Sequence, residues 1–151
     1  MNMKISQFRH EFVEFVPERI EDGVVYVSIP YATAIHRCAC GCGHEVVTPL
    51  SPTDWRVIFD GKSVSLDPSI GNWSFDCQSH YFIRKNRVLW CEKWSKERID
   101  LGRAHDNDSK DSYYKSGVSQ TNDKRPAVKP ARLTASGANG ILNRIRNLWS
   151  F

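Results

Sequence analysis

Three cysteines on alternate residues, in His36-Arg37-Cys38-Ala39-Cys40-Gly41-Cys42-Gly43-His44-Glu45, are answered further along the chain by Cys77-Gln78-Ser79-His80. Thiolate sulfur and imidazole nitrogen are the donors that zinc prefers in a tetrahedral array, closed in structural sites and open to water in catalytic ones. Cys38, Cys40 and Cys42 share one parity, so a plain strand would point all three the same way. Gly41 and Gly43 let the backbone curl until the sulfurs converge. The ligand set read from this spacing is Cys38, Cys40, Cys42 and Cys77 around Zn2+, with His80 either an alternative fourth ligand or a catalytic neighbour. A closed zinc that only staples a small β-domain, and buried free thiols with no metal, are the plainer alternatives. Cys91, beside Trp90, reads as core; His36 as strand filler or a donor behind the ligands; and His105 as solvated.

The elements that must position these groups are mostly strands. Val24 to Ile29, ended by Pro30, and Thr33 to His36 lead into the cysteines, and Phe12 to Val16, closed by Pro17, is expected as a strand before them. Val46 to Leu50 is a brief apolar run that Pro49 and Pro52 push towards a sheet edge or a bend. Trp55 to Phe59 and Lys62 to Leu66 flank Asp60-Gly61, a dipeptide that supplies the positive φ a tight hairpin requires. Asp67 to Trp73 reads as a turn-rich link, and His80 to Arg84 with Arg87 to Trp90 as a second hairpin around Lys85-Asn86. The expected fold class is all-β or β-rich: a compact zinc-binding domain built from hairpins over 1–102. A flexible, disordered linker over 103–136 follows, rich in Asp, Asn, Ser, Lys and Pro. A short amphipathic C-terminal helix over 137–151, with Ile141, Ile145 and Leu148 on one face, closes the chain.

The totals agree with one soluble domain and a tail. The chain has 151 residues, 40% of them hydrophobic, and a net charge of +4, so it buries one ordinary core. Its basic residues are spread out, which does not indicate a nucleic-acid groove. No apolar run approaches a membrane span and no signal-peptide core follows the N-terminus, so a cytoplasmic location without membrane attachment is expected. There, five cysteines read as reduced ligands rather than disulfides.

The runs Ala34 to Gly43, Val47-Thr48-Pro49-Leu50, Val64-Ser65-Leu66-Asp67-Pro68-Ser69-Ile70-Gly71-Asn72-Trp73 and Cys77-Gln78-Ser79-His80-Tyr81-Phe82-Ile83 together resemble a small cysteine-rich bacterial family found in operons for ubiquitin-like conjugation, the Bub systems. The resemblance covers about residues 12 to 94. It implies a peptidase-like role in processing or removing a ubiquitin-like protein. The implied partners are that protein and its conjugates, and the E1/E2-like proteins of the same operon.

Cleavage of a peptide or isopeptide bond needs a nucleophile, a proton carrier and a stabiliser of the oxyanion. In a zinc-dependent version, metal-bound water attacks while Glu45 or His80 handles the proton. In a serine version the zinc is structural, and Ser69 or Ser79 is the nucleophile with His80 as base and Asp67 or Asp76 orienting it. Ser69 is the better serine, because Ile70-Gly71-Asn72 offers backbone N–H groups and an amide to an oxyanion. A thiol version would use Cys38, Cys42 or Cys77, left out of the metal shell. The candidate catalytic residues are therefore His80, Ser69 and Glu45. A zinc-stabilised β-module that binds the modifier or its ligase without catalysis is the competing reading. Trp55, Trp73, Tyr81 and Trp90 read as core aromatics, one of which could line a cleft for an extended tail.

Overall fold

Val, Ile, Tyr and Phe fit a pleated, half-buried surface, and segments rich in them form eight strands in the structure, a computed structural model that describes residues 3–118. The strands are β1 (Arg9–Phe12), β2 (Val24–Ser28), β3 (Thr33–Arg37), β4 (Glu45–Pro49), β5 (Arg56–Phe59), β6 (Val64–Gly71), β7 (His80–Arg84) and β8 (Arg87–Trp90), followed by helix α1 (Lys96–Val118). They make two four-stranded sheets, β1-β2-β3-β4 and β5-β6-β7-β8. All neighbours are antiparallel except β1 and β2. The β-rich, hairpin-built fold is the one read from the sequence, and β4 is indeed an edge strand.

Both expected hairpins form for the expected reasons. Gly61 takes φ +88°, and the Asp60 carboxylate accepts the N–H groups of Lys62 and Ser63 at 3.0 and 2.7 Å. Lys85 and Asn86 both have positive φ, as a two-residue turn matched to strand twist demands.

The main core lies between the sheets: Val25, Val27, Ala34 and Val46 of the first meet Leu66, Ile70, Tyr81, Ile83 and Val88 of the second. Alternate residues of β2 face the other way, so Val24 and Tyr26 pack with Ile20 and Ile35 beneath Val13 and Val16. Each fully buried aliphatic side chain contributes roughly 1.5–3 kcal/mol. Because a slip of one residue would turn every such side chain outward, the core also fixes the register of β6 on β7.

Three segments depart from the sequence reading. The first strand covers Arg9–Phe12, and beyond it Val13 and Val16 pack against the smaller apolar cluster, which draws the chain out of the ladder. The stretch from Asp67, expected as a turn-rich link, continues β6 as far as Gly71, with a register shift between Leu66 and Ile70. Residues 103–118, expected within a linker, belong to α1. That helix is capped by Ser95, whose Oγ accepts the Arg98 N–H at 3.3 Å, and it is tied down by polar contacts that an apolar-periodicity reading does not register. Residues 119–151, including the rest of the expected linker and the C-terminal helix, lie outside the described residues. Among the described residues no helix is long and apolar enough to cross a membrane.

Candidate active site and metal centre

The paired ends of β6 and β7 carry different chemistry on their two faces, because successive residues of a strand point to opposite sides. Gly71 lies opposite His80 in the ladder; one residue further out, the backbone N–H of Asn72 donates to the Ser79 carbonyl at 2.9 Å. One face therefore presents His80 and Ser69, and the other presents Asn72 and Ser79.

On the first face, His80 Nε2 lies 3.0 Å from Ser69 Oγ. The contact is diagonal across the ladder, and it is possible because the residue directly opposite the imidazole is a glycine. The register shift between Leu66 and Ile70 sets Ser69 in an irregular part of β6. His80 Nδ1 is 2.8 Å from the backbone carbonyl of Glu92. A carbonyl oxygen only accepts, so Nδ1 carries the proton, and in the neutral ring Nε2 then presents its lone pair to the serine hydroxyl. This is the tautomer a general base requires.

Two indoles hold the ring. Trp73 and Trp94 stack on one another with centroids 5.4 Å apart, and each packs against His80, at 5.0 and 5.2 Å. A Cβ on Gly71 would lie 2.4 Å from the Trp73 ring, so only glycine lets that indole settle beside the imidazole. Ser69 and His80 open into a cleft of about 530 Å³. Its walls include Trp55, Trp73 and Trp94 from the β-domain and Ile99, Gly102 and Lys110 from α1. Across the cleft Lys110 Nζ pairs with Asp54 at 2.6 Å. The ammonium of Lys110, then the hydroxyl of Ser51, holds the Asp54 carboxyl below the usual carboxylate range, and the same pairing raises Lys110.

On the opposite face and around β3's end, the sulfurs of Cys38, Cys40, Cys42 and Cys77 all lie within 4.8 Å of one another. Sγ–Sγ distances are 3.4 Å for Cys38–Cys40, 3.7 Å for Cys42–Cys77 and 4.0 Å for Cys38–Cys77. Four ligands at the zinc–thiolate bond length in a regular tetrahedron stand about 3.8 Å apart, so this donor set fits a tetrahedral divalent ion. Gly41 and Gly43, at φ +83° and +82°, supply the curl, and Cys38 N–H closes the loop onto the His44 carbonyl at 2.8 Å. Arg37 braces it from below, with Nε on the Ile20 carbonyl at 2.7 Å.

Polar groups already surround the sulfurs as they would a ligand set. Ser79 Oγ lies 3.1 Å from Cys38 Sγ, Asn72 Nδ2 donates to Ser79 Oγ at 2.9 Å, and His44 Nδ1 is 3.3 Å from Cys42 Sγ. Burial, aided by hydrogen bonding with Cys42 and Cys38, pushes the Cys40 thiol far up, and burial also raises Cys42. Burial acts to raise Cys77 as well, yet hydrogen bonds from Ser79, Cys40 and Cys42 draw it down to about 7. A bound divalent cation would favour the thiolate form of ligands such as the raised Cys40 and Cys42.

The four expected ligands thus come together, and His80 belongs to the other face with Ser69. Glu45 is exposed at the start of β4, opposite Arg37, and is not among the cleft-lining residues. Asp67 does not orient His80: its carboxylate is taken by Arg56 and Arg84 at 2.6 and 2.7 Å. Asn72, expected to aid an oxyanion, donates instead to Ser79 on the cysteine side. His36 is fully buried against Tyr81, its Nε2 3.0 Å from the phenol oxygen, and burial lowers its pKa to about 3. Cys91 stands apart from the cluster, and His105 is exposed on α1.

The family model described as bacterial ubiquitination-like system serine protease (BubE) matches residues 12–91, more than half of the chain. The chain belongs to the BubE family. No curated protein and no solved structure matches it. The resemblance to a peptidase-like component of Bub operons is therefore correct, and the family's description makes it a protease of a bacterial ubiquitination-like system. The BubE match contains Ser69, His80 and all four clustered cysteines, and it ends one residue before Glu92. Sequence reasoning missed Glu92, which acts through a main-chain carbonyl that no side-chain pattern reveals, and Trp94, which it did not single out. It also missed the Asp54–Lys110 pair, whose members are joined only by folding.

Proposed function

We propose that the chain is a serine hydrolase, a peptidase or isopeptidase that processes or removes a ubiquitin-like protein, with Ser69 as nucleophile and His80 as general base. The observation that carries this reading is the 3.0 Å contact between Ser69 Oγ and His80 Nε2 with Nδ1–H committed to the Glu92 carbonyl. Ser69 Oγ attacks the scissile carbonyl carbon while Nε2 takes the hydroxyl proton, and the same proton passes to the leaving amine as the C–N bond breaks. Water, deprotonated by the same nitrogen, then cleaves the ester on Ser69 and frees the carboxylate. The Glu92 carbonyl stabilises the imidazolium formed in between, and the indoles of Trp73 and Trp94 keep bulk water from one side of it.

Cys38, Cys40, Cys42 and Cys77 would hold Zn2+ as a structural ion. Four thiolates fill a tetrahedral shell, which leaves no position for a catalytic water, so neither Glu45 nor the metal has a part in the reaction. What the ion supplies is a clamp between the loop after β3 and the loop before β7. Its partners would be the ubiquitin-like protein, its conjugates and the E1/E2-like proteins of the same system, in the cytoplasm.

The test is cleavage of a ubiquitin-like protein of a Bub system carrying a C-terminal extension, followed by intact mass. The wild-type chain is expected to release the extension, and Ser69→Ala and His80→Ala to lose the activity while keeping a folded, metal-loaded domain. Undiminished cleavage by Ser69→Ala would overturn the assignment.

A further inference from the structure

Beside the dyad, β6 has an edge on which, among the described residues, no strand is paired. The bond from Asn72 N–H to Ser79 C=O makes those two a hydrogen-bonded pair. Bonded and non-bonded pairs alternate in an antiparallel ladder, so Gly71 and His80 form a non-bonded pair. The N–H and C=O of Gly71 therefore point away from β7. The other member of the pair behaves accordingly: the His80 carbonyl turns outward and accepts the Cys91 N–H at 2.9 Å.

The strand that would meet Gly71 has already left. β5 begins at Arg56, opposite Asp67, so the β5–β6 ladder goes no further towards Gly71. The next residue back, Trp55, is drawn off towards the first sheet, donating its N–H to the Pro49 carbonyl at 3.1 Å and accepting the Ser51 N–H at 3.2 Å. Ser69, Gly71 and Trp55 all line the cleft. A slot beside the nucleophile therefore has the outward-facing main-chain donor and acceptor of Gly71, and Trp55, among its walls. No side chain can occupy position 71, because the Trp73 ring fills that space.

We infer that the acyl side of the substrate, the segment whose carboxyl group is transferred to Ser69, docks in this slot as an added strand hydrogen-bonded to the backbone of Gly71. The inference rests on the hydrolase reading above and names how that site takes its substrate. An extended main chain is the one ligand class whose groups match a bare strand edge. The acyl side is the occupant because processing and deconjugation share only that half; the leaving group differs between them. At a rise of about 3.3 Å per residue, Gly71 lies two residues from Ser69, so its partner is the third residue counted back from the scissile bond. The second residue's N–H points outward to solvent.

The experiment is the rate at which Ser69 is labelled by the diphenyl ester of acetyl-alanyl-alanyl-aminomethylphosphonate, in which the serine oxygen displaces phenol at phosphorus. The parent reagent is compared with forms N-methylated at the third or the second residue, and with a small alkyl fluorophosphonate that has no peptide. Methylation at the third residue is expected to slow labelling about tenfold, the size of one lost hydrogen bond, and methylation at the second to change it less than about twofold. Equal rates for both methylated forms, or labelling by the alkyl reagent and not by the peptide, would overturn the docking while leaving the hydrolase reading intact. Labelling of Ser69 by neither reagent would contradict the hydrolase reading and the docking with it.

Discussion

The two faces of the β6–β7 ends are built from neighbouring residues yet held in opposite ways. On the cysteine side, four sulfurs, Ser79, Asn72, His44 and two left-handed glycines converge on one point. On the other side, Ser69 and His80 share one hydrogen bond, with a main-chain carbonyl behind it and two indoles around it. The over-determined face has the groups of a clamp, and the sparsely held face has the groups of a reaction centre open to a cleft. Because Asn72–Ser79 and Gly71–His80 are successive rungs of the same ladder, rigidity made on one side is transmitted to the other through the backbone. The proposed catalytic pair can be light in contacts because the strands that carry it are anchored one residue away.

Substitutions should separate the two faces. The largest effect on activity belongs to Ser69→Ala and His80→Ala, each expected to lower kcat/KM by on the order of 10⁴. The unfolding midpoint should change little for Ser69→Ala; for His80→Ala, whose buried ring leaves a cavity, it should fall while the transition stays cooperative. Cys40→Ser should act the other way round: metal content falls and the domain loses its cooperative unfolding transition, as small metal-clamped domains do, with activity lost as a consequence of unfolding. Atomic absorption and thermal melts on the same preparations check both.

Smaller effects come from the supports of the imidazole. Trp94→Ala removes one wall of His80 and is expected to reduce kcat about tenfold with KM changed less, because the ring and not the slot at Gly71 is loosened; steady-state kinetics read the split.

The smallest effect belongs to the Asp54–Lys110 tie. Its aspartate is lowered, so the contribution is complete above the ordinary carboxylate pKa of about 4 and is lost as pH falls through the depressed folded value. Its lysine is raised, so the contribution is complete below about 10.4 and is lost as pH rises beyond that. Protection of α1 amides, that is, exchange corrected for the intrinsic pH dependence of an unstructured amide, should therefore be constant between about pH 5 and pH 10 and fall only outside that window. Lys110→Ala should raise exchange in α1 by a few-fold at most, since a partly exposed pair is worth about 0–1 kcal/mol.

What the sequence disclosed follows the range of the interactions. The hairpin at Asp60-Gly61 and the curl at Gly41 and Gly43 are local backbone requirements, so residue type announced them. Cys77 was legible as a partner of the other three thiols because such spacing suits a metal site, and the four sulfurs do come together. Ser69 and His80 were singled out because their types suit catalysis, and they lie 3.0 Å apart. Asn72 was misassigned because the direction of a side chain depends on strand parity, and the continuation of β6 to Gly71 through Pro68 was read as a turn. Asp67 was misassigned because its partners, Arg56 and Arg84, arrive only when three strands align. Helix α1 was hidden since its support comes from a serine cap, Trp94 against Gly102 and an ion pair, rather than from an apolar stripe.

The central claim is that the reactive atom of this BubE-family chain is Ser69 Oγ, activated by His80, with the cysteines as its support. Treating the metal-loaded protein with an alkyl fluorophosphonate and locating the adduct by peptide mass spectrometry tests it most directly. A single adduct on Ser69, abolished by His80→Ala, is the predicted result. An adduct on Ser79 or on a cysteine, or no adduct on a protein that cleaves its substrate, would contradict it.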